Sequence, residues 1–94
     1  MVILLIEHPV PNYDRWKKVF ESDPLGRKVS GVQSHRISRP AGDEGIVMIE
    51  LEFRELAEAE SMLNRLRELW KSVEGRIIME PKARIIEVLE NKKY

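Results

Sequence analysis

Apolar residues recur along the chain with two different periods, which separate predicted strands from predicted helices. An aliphatic run from Val2 to Glu7 predicts a first strand, and the prolines in the sequence 8–11 mark its end. Loose alternation from Val29 to Arg39 predicts a second strand. The segment 40–45 is rich in turn-forming residues, and Ile46 to Phe53 resumes a β-branched run. The second and third strands are therefore predicted to form a hairpin.

Two other segments space their apolar residues three and four positions apart, which predicts helices. The first helix is predicted from Tyr13 to Asp23, with Asn12 as its N-cap and Pro24 after its end. The second helix is predicted from about Glu55 to Val73, and Gly75 stops it. Its broad apolar face comprises Leu56, Ala59, Met62, Leu63, Leu66, Leu69, Trp70 and Val73.

The remaining residues complete a familiar order of elements. Arg76 to Met79 is predicted as a short extended piece, Ala83 to Leu89 as the last strand, and 91–94 as a polar tail. The order strand, helix, strand, strand, helix, strand predicts a ferredoxin-like α+β fold, in which two helices cover one face of an antiparallel four-stranded sheet. No linker or low-complexity stretch divides residues 1–94, so we predict one domain.

The predicted strands carry apolar residues on both of their sides. The first strand presents Val2, Leu4 and Ile6 on one side and Ile3 and Leu5 on the other, and the third and fourth strands follow the same pattern. A sheet with one wet face alternates apolar and polar residues instead. Soluble monomers rarely expose an apolar patch on the order of several hundred Å². We therefore predict a homodimer in which the open sheet faces of two copies cover each other.

Charged residues are mixed into this predicted open face. Glu50, Glu52 and Glu87 are expected at its rim or paired with Arg36. In an alternative arrangement the chain remains a monomer, and the polar tail or the segment 76–79 covers the open face.

Composition narrows the range of functions. Sixteen Lys and Arg balance sixteen Asp and Glu, so no net charge attracts nucleic acid or an acidic membrane. The absence of cysteine excludes disulfides and thiolate chemistry and favours the cytoplasm. The apolar run at the start is too short for a signal peptide or a membrane span. The two histidines, His8 and His35, have no paired spacing, so we predict neither a metal nor another cofactor.

Two motifs resemble a known group of proteins. They are Tyr13-Asp14-x-Trp16-x-x-x-Phe20 in the first helix and Gly31-Val-x-x-His35-Arg36-Ile37-x-Arg39 in the second strand. Together with the element order and the doubly apolar strands, they resemble the dimeric α/β-barrel superfamily, which includes antibiotic-biosynthesis-monooxygenase-like domains. The resemblance covers nearly the whole chain.

This resemblance implies a homodimer with a cavity between each sheet and its own helices. Members bind small, often aromatic or polyketide-like molecules; some oxygenate them without metal or flavin, and others bind haem. The monooxygenase pattern places Trp four residues after Asn on the second helix. Here Trp70 lies six residues after Asn64, a spacing that turns the two side chains to different faces.

His35 is the predicted catalytic residue, because imidazole can move protons near neutral pH. If the hairpin pairs Ser38 near Ile46, His35 falls beside Ile49 on the helix-covered side of the sheet. The alternative is a partly exposed histidine bonded to a carboxylate or to water. His8, beside two prolines, is interpreted as a strand-end histidine.

Four aromatic residues are predicted to wall a site for a flat apolar ligand. They are Tyr13, Trp16, Phe20 and Trp70. The alternative is that these rings are ordinary core residues.

The favoured function is that of a cytoplasmic homodimer with a small-molecule cavity under its helices. It would be a cofactor-independent oxygenase or cyclase, or a ligand-binding relative of such enzymes. The alternative is a non-catalytic ligand-sensing or protein-interaction module. A cavity of about 300 Å³ or more, with His35 and an aromatic ring in its wall, favours ligand binding, and a filled interior favours the interaction module.

Overall fold

The computed structural model describes residues 1–94 and contains four strands and two helices. In chain order they are β1 (Val2–Pro9), α1 (Tyr13–Glu21), β2 (Ser34–Ser38), β3 (Ile46–Phe53), α2 (Leu56–Val73) and β4 (Lys82–Glu87). The sheet order is β2-β3-β1-β4, and every neighbouring pair is antiparallel. The predicted ferredoxin-like α+β fold is confirmed. Neither helix has the length and apolar content that crossing a membrane requires.

Strand β1 runs two residues past its predicted end. It pairs with β4 only as far as Glu7, which lies opposite Lys82, so no strand lies beside Pro9 on that side. The missing N–H of Pro9 therefore interrupts no ladder, as at the edge of a sheet. On the other side Pro9 still pairs with Ile46 of β3. This extension brings His8 inside the sheet.

Strand β2 is shorter than predicted, because residues 27–31 form turns rather than extended chain. Gly31 has φ +100, a conformation outside the strand region, and the side chain of Val29 is fully exposed. The strand begins at Ser34 and pairs Ser38 with Met48. The predicted pairing of Ser38 near Ile46 is therefore wrong by two residues.

The helix starts follow local capping chemistry. Asn12 Oδ1 accepts a hydrogen bond of 3.0 Å from the Arg15 N–H, which confirms the predicted N-cap of α1. Glu58 Oε1 accepts a 3.3 Å bond from the Glu55 N–H at the start of α2. Helix α1 ends at Glu21, two residues before its predicted end.

The region after α2 differs from the prediction. The expected extended piece from Arg76 to Met79 makes only an isolated bridge between Glu74 and Ile78, and Ile78 is buried. Strand β4 covers Lys82–Glu87 rather than Ala83–Leu89, and Leu89 is almost fully exposed.

The core lies between the helices and one face of the sheet. Its most enclosed apolar side chains are Leu4 on β1, Phe53 on β3 and Ala59 and Met62 on α2. The buried face of α2 contains fewer residues than the apolar face predicted for it, because Leu56 in the first turn is 45% exposed. The half-buried residues of the C-terminal half of α2 instead border the cavity described below.

The opposite face of the sheet is uncovered in the single chain. Ile3, Leu5, Ile46 and Met48 on this face remain half-buried, and Ile86 is 36% exposed. No segment of the chain buries these side chains completely, so the arrangement in which the tail or residues 76–79 cover the face is not seen.

The charged residues of the sheet divide between its two faces. Arg36 Nε lies 3.9 Å from Glu50 Oε2 on the open face, as predicted. Glu52 lies on the same face and accepts a 2.6 Å hydrogen bond from the hydroxyl of Ser34. Placing Glu87 there is wrong: it pairs with Val2, whose side chain faces the helices.

Candidate functional site

A mainly apolar cavity of about 90 Å³ lies between the helices and the sheet. Twelve of its sixteen lining residues are hydrophobic. The sheet contributes Ile6, His8, Ile49 and Leu51; α1 contributes Trp16, Val19 and Phe20; α2 contributes Met62, Leu66, Leu69, Trp70 and Val73; the loop after α1 contributes Asp23, Pro24, Leu25 and Arg27. The polar groups that can direct a ligand are therefore His8, Asp23 and Arg27.

A row of aromatic rings forms the α1 side of this site. Tyr13, Trp16 and Phe20 follow one another at helical spacing, which places them on one face. The ring centroids are 5.7 Å apart for Tyr13 and Trp16 and 5.2 Å apart for Trp16 and Phe20. Trp70 on α2 adds another aromatic side chain to the lining. Three of the four predicted ligand-binding rings, Trp16, Phe20 and Trp70, thus line the cavity.

Tyr13 lies outside the cavity lining. Its ring packs beside Trp16 and borders a separate groove with Ile37 and Glu44. Its predicted contact with a ligand stays a prediction.

His8 is the polar residue that the sheet places in the cavity wall. It shares the helix-covered side of β1 with Leu4 and Ile6, and only 2% of its surface is exposed. Its Nδ1 lies 3.1 Å from the carbonyl oxygen of Pro9. Because a carbonyl oxygen can only accept, Nδ1 carries the proton and Nε2 carries the free lone pair. Burial lowers the pKa of His8 below 6.5, so the ring is neutral at pH 7.

The free nitrogen of His8 is not completely enclosed by protein. No enclosed side-chain nitrogen or oxygen of the structure lacks a hydrogen-bond partner. The hydrogen bond of the imidazole is made through Nδ1, so Nε2 is not enclosed. The space that this buried ring borders is the cavity. His8 therefore offers the cavity a hydrogen-bond acceptor.

His35 lies on the predicted side of the sheet but outside the cavity. Its pairing with Leu51 places it on the helix-covered side, because a register shift of two residues preserves the face. The side chain is exposed, and its ring meets Phe20 edge-on with centroids 5.1 Å apart. Phe20 lines the cavity and His35 does not. The catalytic role of His35 stays a prediction.

Arg27 and Asp23 form the charged edge of the cavity. The Arg27 guanidinium carbon lies 3.9 Å from the centre of the Phe20 ring, and Nη1 donates a 2.7 Å hydrogen bond to the Phe20 carbonyl. Asp23 Oδ1 lies 3.5 Å from the same Nη1 and accepts a 2.8 Å bond from the Arg27 N–H. These contacts hold the positive charge against an aromatic wall and partly neutralise it.

Sequence reasoning missed His8 and Arg27 as site residues. His8 had a usable signal, because alternation continued past Glu7 places it on the same side as Leu4 and Ile6. Arg27 had none, since its position depends on the turn that follows α1.

Comparison with known proteins gives matches among solved structures alone. No protein-family model and no curated protein matches the chain. SnoaB, a cofactor-independent oxygenase from Streptomyces nogalater, superposes with a TM-score of 0.73 at 11% identity, over 96% of this chain and 94% of SnoaB. A Deinococcus radiodurans protein assigned as an antibiotic biosynthesis monooxygenase gives 0.65 at 13% identity, over 100% and 98%.

A third match has a described assembly. It is a dimeric ferredoxin-like protein from an uncultured marine organism, with a TM-score of 0.65 at 8% identity, over 99% of this chain and 92% of that protein. Identities this low establish shared fold and not shared activity. The chain thus has the ferredoxin-like fold of the antibiotic-biosynthesis-monooxygenase-like proteins, as its motifs indicated.

Proposed function

We propose that the chain forms a homodimer and binds a small, flat, largely apolar molecule in the cavity between its helices and sheet. The observation that carries this proposal is the arrangement of Trp16, Phe20 and Trp70 around an apolar space that also holds the buried imidazole of His8. Ligand sites typically combine an apolar and aromatic lining with a few directed polar groups.

The homodimer part of the proposal rests on the open face of the sheet. Ile3, Leu5 and Met48 stay half-buried there, and Ile86 is more exposed. A two-fold axis lets this patch cover its own copy, and the cavities on the other side of each sheet stay free. The marine protein that shares the fold is described as dimeric, which supports a dimer for this chain.

The volume of the cavity limits the size of the ligand. At about 90 Å³ it is smaller than the roughly 300–1,000 Å³ of sites for drug-sized molecules. An engineered cavity of about 150 Å³ in another protein holds one benzene ring. One aromatic ring therefore needs the helices to separate slightly, whereas a polyketide-like ring system needs a much larger opening.

The reaction that we propose for this site is cofactor-independent oxygenation or cyclisation of the bound molecule. SnoaB, which shares the fold, is described as a cofactor-independent oxygenase. In this chain the predicted catalytic residue His35 contacts Phe20 and not the cavity, so it would act by positioning that ring.

A second candidate function is a non-catalytic ligand-sensing or protein-interaction module. The small volume of the cavity favours it, because a nearly filled interior leaves little room for a substrate and its reacting partner.

Binding is tested by nuclear magnetic resonance with toluene as the probe. The chain has two tryptophans, and both line the cavity, so their two indole N–H signals report directly on binding. We expect saturable shifts of both signals in the native chain. Leu66→Phe fills the cavity and removes the shifts, whereas Leu56→Phe, on the same helix but outside the lining, retains them. Unshifted signals at the solubility limit of toluene would contradict ligand binding. The protein-interaction module would then be the remaining candidate function.

A further inference from the structure

The acceptor nitrogen of His8 determines which aromatic molecules the cavity prefers. We propose that the site selects single-ring phenols, with the phenol hydroxyl donating a hydrogen bond to His8 Nε2 and the ring lying against Trp16. This inference rests on the proposed function, because it specifies the ligand class of the same cavity.

The orientation of the imidazole is set by backbone that is itself held in place. The carbonyl oxygen of Pro9 accepts two hydrogen bonds, each 3.1 Å long, one from His8 Nδ1 and one from the N–H of Met79. Two donors occupy both lone pairs of this oxygen. The segment after α2 thereby fixes the acceptor that orients His8, and Nε2 is left as a pure acceptor on a ring that lines the cavity.

A ligand without a donor leaves this nitrogen unsatisfied. Filling the cavity with a hydrocarbon keeps water away from Nε2 and offers no hydrogen bond in return. A neutral hydroxyl supplies the bond at no cost of burying a charge, whereas an ammonium group would have to lose its hydration in an apolar space. A phenol combines the neutral donor with the flat ring that the aromatic wall fits.

The other polar lining groups are already engaged at the edge of the cavity. The Arg27 guanidinium donates to the carbonyl of Phe20 and lies against the carboxylate of Asp23. These contacts partly neutralise both charges at the edge of the cavity, so His8 is the uncharged polar group left to contact a ligand. The cavity volume of about 90 Å³ restricts the ligand to one ring.

The experiment compares three probes that differ in the hydroxyl: p-cresol, toluene and 4-methylanisole. Toluene is smaller than p-cresol and 4-methylanisole is larger, so size alone cannot favour p-cresol over both. The indole signals of Trp16 and Trp70 give the three dissociation constants. We expect p-cresol to bind the native chain about tenfold more tightly than either other probe, the size of one hydrogen bond to a buried acceptor.

Two variants assign this preference to His8. In His8→Leu, which has no acceptor, p-cresol and toluene should bind equally. In His8→Gln the side-chain amide oxygen can still accept, so p-cresol should remain favoured. A melting curve shows whether His8→Leu folds. If it does not, the probe series on the native chain and on His8→Gln still tests whether the cavity prefers p-cresol.

The outcomes separate this inference from the proposed function. Equal binding of all three probes to the native chain overturns the phenol preference and leaves aromatic binding intact. A preference for p-cresol that persists in His8→Leu places the acceptor elsewhere and also overturns it. Absence of binding by every probe contradicts the proposed function itself.

Discussion

The imidazole of His8 meets the indole of Trp16 edge-on, with ring centroids 6.0 Å apart and ring planes inclined by 65°. This contact joins the central strand β1 to helix α1 at the wall of the cavity. An edge-to-face arrangement directs the positive edge of one ring at the electron-rich face of the other. One contact therefore contributes both to the packing of α1 and to the shape of the site.

The burial of His8 predicts a pH dependence of stability. Its pKa in the folded chain is lowered from 6.5, so the unfolded chain binds the proton more readily. The contribution of neutral His8 to the free energy of unfolding is therefore fully present above pH 6.5, and it decreases as the pH falls from 6.5 toward the folded pKa. Urea unfolding between about pH 8 and about pH 5 measures this decrease.

The two histidines provide a matched comparison for this effect. His8→Gln should reduce the loss of stability toward acid pH, because the titrating buried group is gone. His35→Gln, on the exposed side chain, should leave the slope close to that of the native chain. An unchanged slope in His8→Gln would show that other groups cause the acid sensitivity.

Removal of the Trp16 side chain should cost more stability than any other change in the aromatic wall. Trp16 is buried and contacts Tyr13, Phe20 and His8, so Trp16→Ala is expected to destabilise the chain by about 3–5 kcal/mol. Trp70→Ala should cost less, because Trp70 is only half-buried. Urea unfolding of both variants tests the order, and a larger loss in Trp70→Ala would contradict it.

Position 31 favours glycine for two reasons: its backbone conformation and the lack of space for a Cβ. Gly42 provides a comparison to which only the first reason applies. Gly31 has φ +100, and a Cβ there would collide with the carboxylate of Glu58. Gly42 has φ +83 with nothing within 4 Å of a Cβ. Gly42→Ala should therefore cost about 1 kcal/mol from backbone strain, and Gly31→Ala should cost more, because the Glu58 side chain would also have to move and give up its hydrogen bond from the Glu55 N–H. Equal losses in the melting curves would show that Glu58 moves aside freely.

The elements predicted best from the sequence are those specified by local chemistry. The bounds of β3, Ile46 to Phe53, match the prediction because a turn-rich segment precedes it and alternation continues to its end. The N-cap of α1 follows from Asn12 alone. The face of His35 was also predicted correctly, although the register was wrong, because a shift of two residues returns each side chain to the same side.

The features that sequence reasoning missed depend on distant parts of the chain. Pro9 can remain in β1 because β4 begins opposite Glu7, and no local pattern around the prolines carries that information. The loop before β2 includes Gly31, which has a positive φ and whose missing Cβ leaves space for the side chain of Glu58 on α2. His8 on the central strand β1 lines the cavity, whereas His35 on the edge strand β2 does not. The position of the strand in the sheet therefore decides which histidine reaches the cavity, and alternation along one strand carries no information on that position.

The open face of the sheet gives the last prediction, which concerns the homodimer. Leu5 lies at the middle of this face, opposite Glu50 on one side and Arg84 on the other, and is half-buried in the single chain. The native chain should sediment at twice its 11.0 kDa mass at about 10 μM, because the patch covers its own copy. Leu5→Glu places a charge in that interface and should shift sedimentation toward the single-chain mass, whereas Val29→Glu, on an exposed turn, should stay dimeric. A native chain that sediments at 11.0 kDa would contradict the homodimer and leave the open face in contact with water.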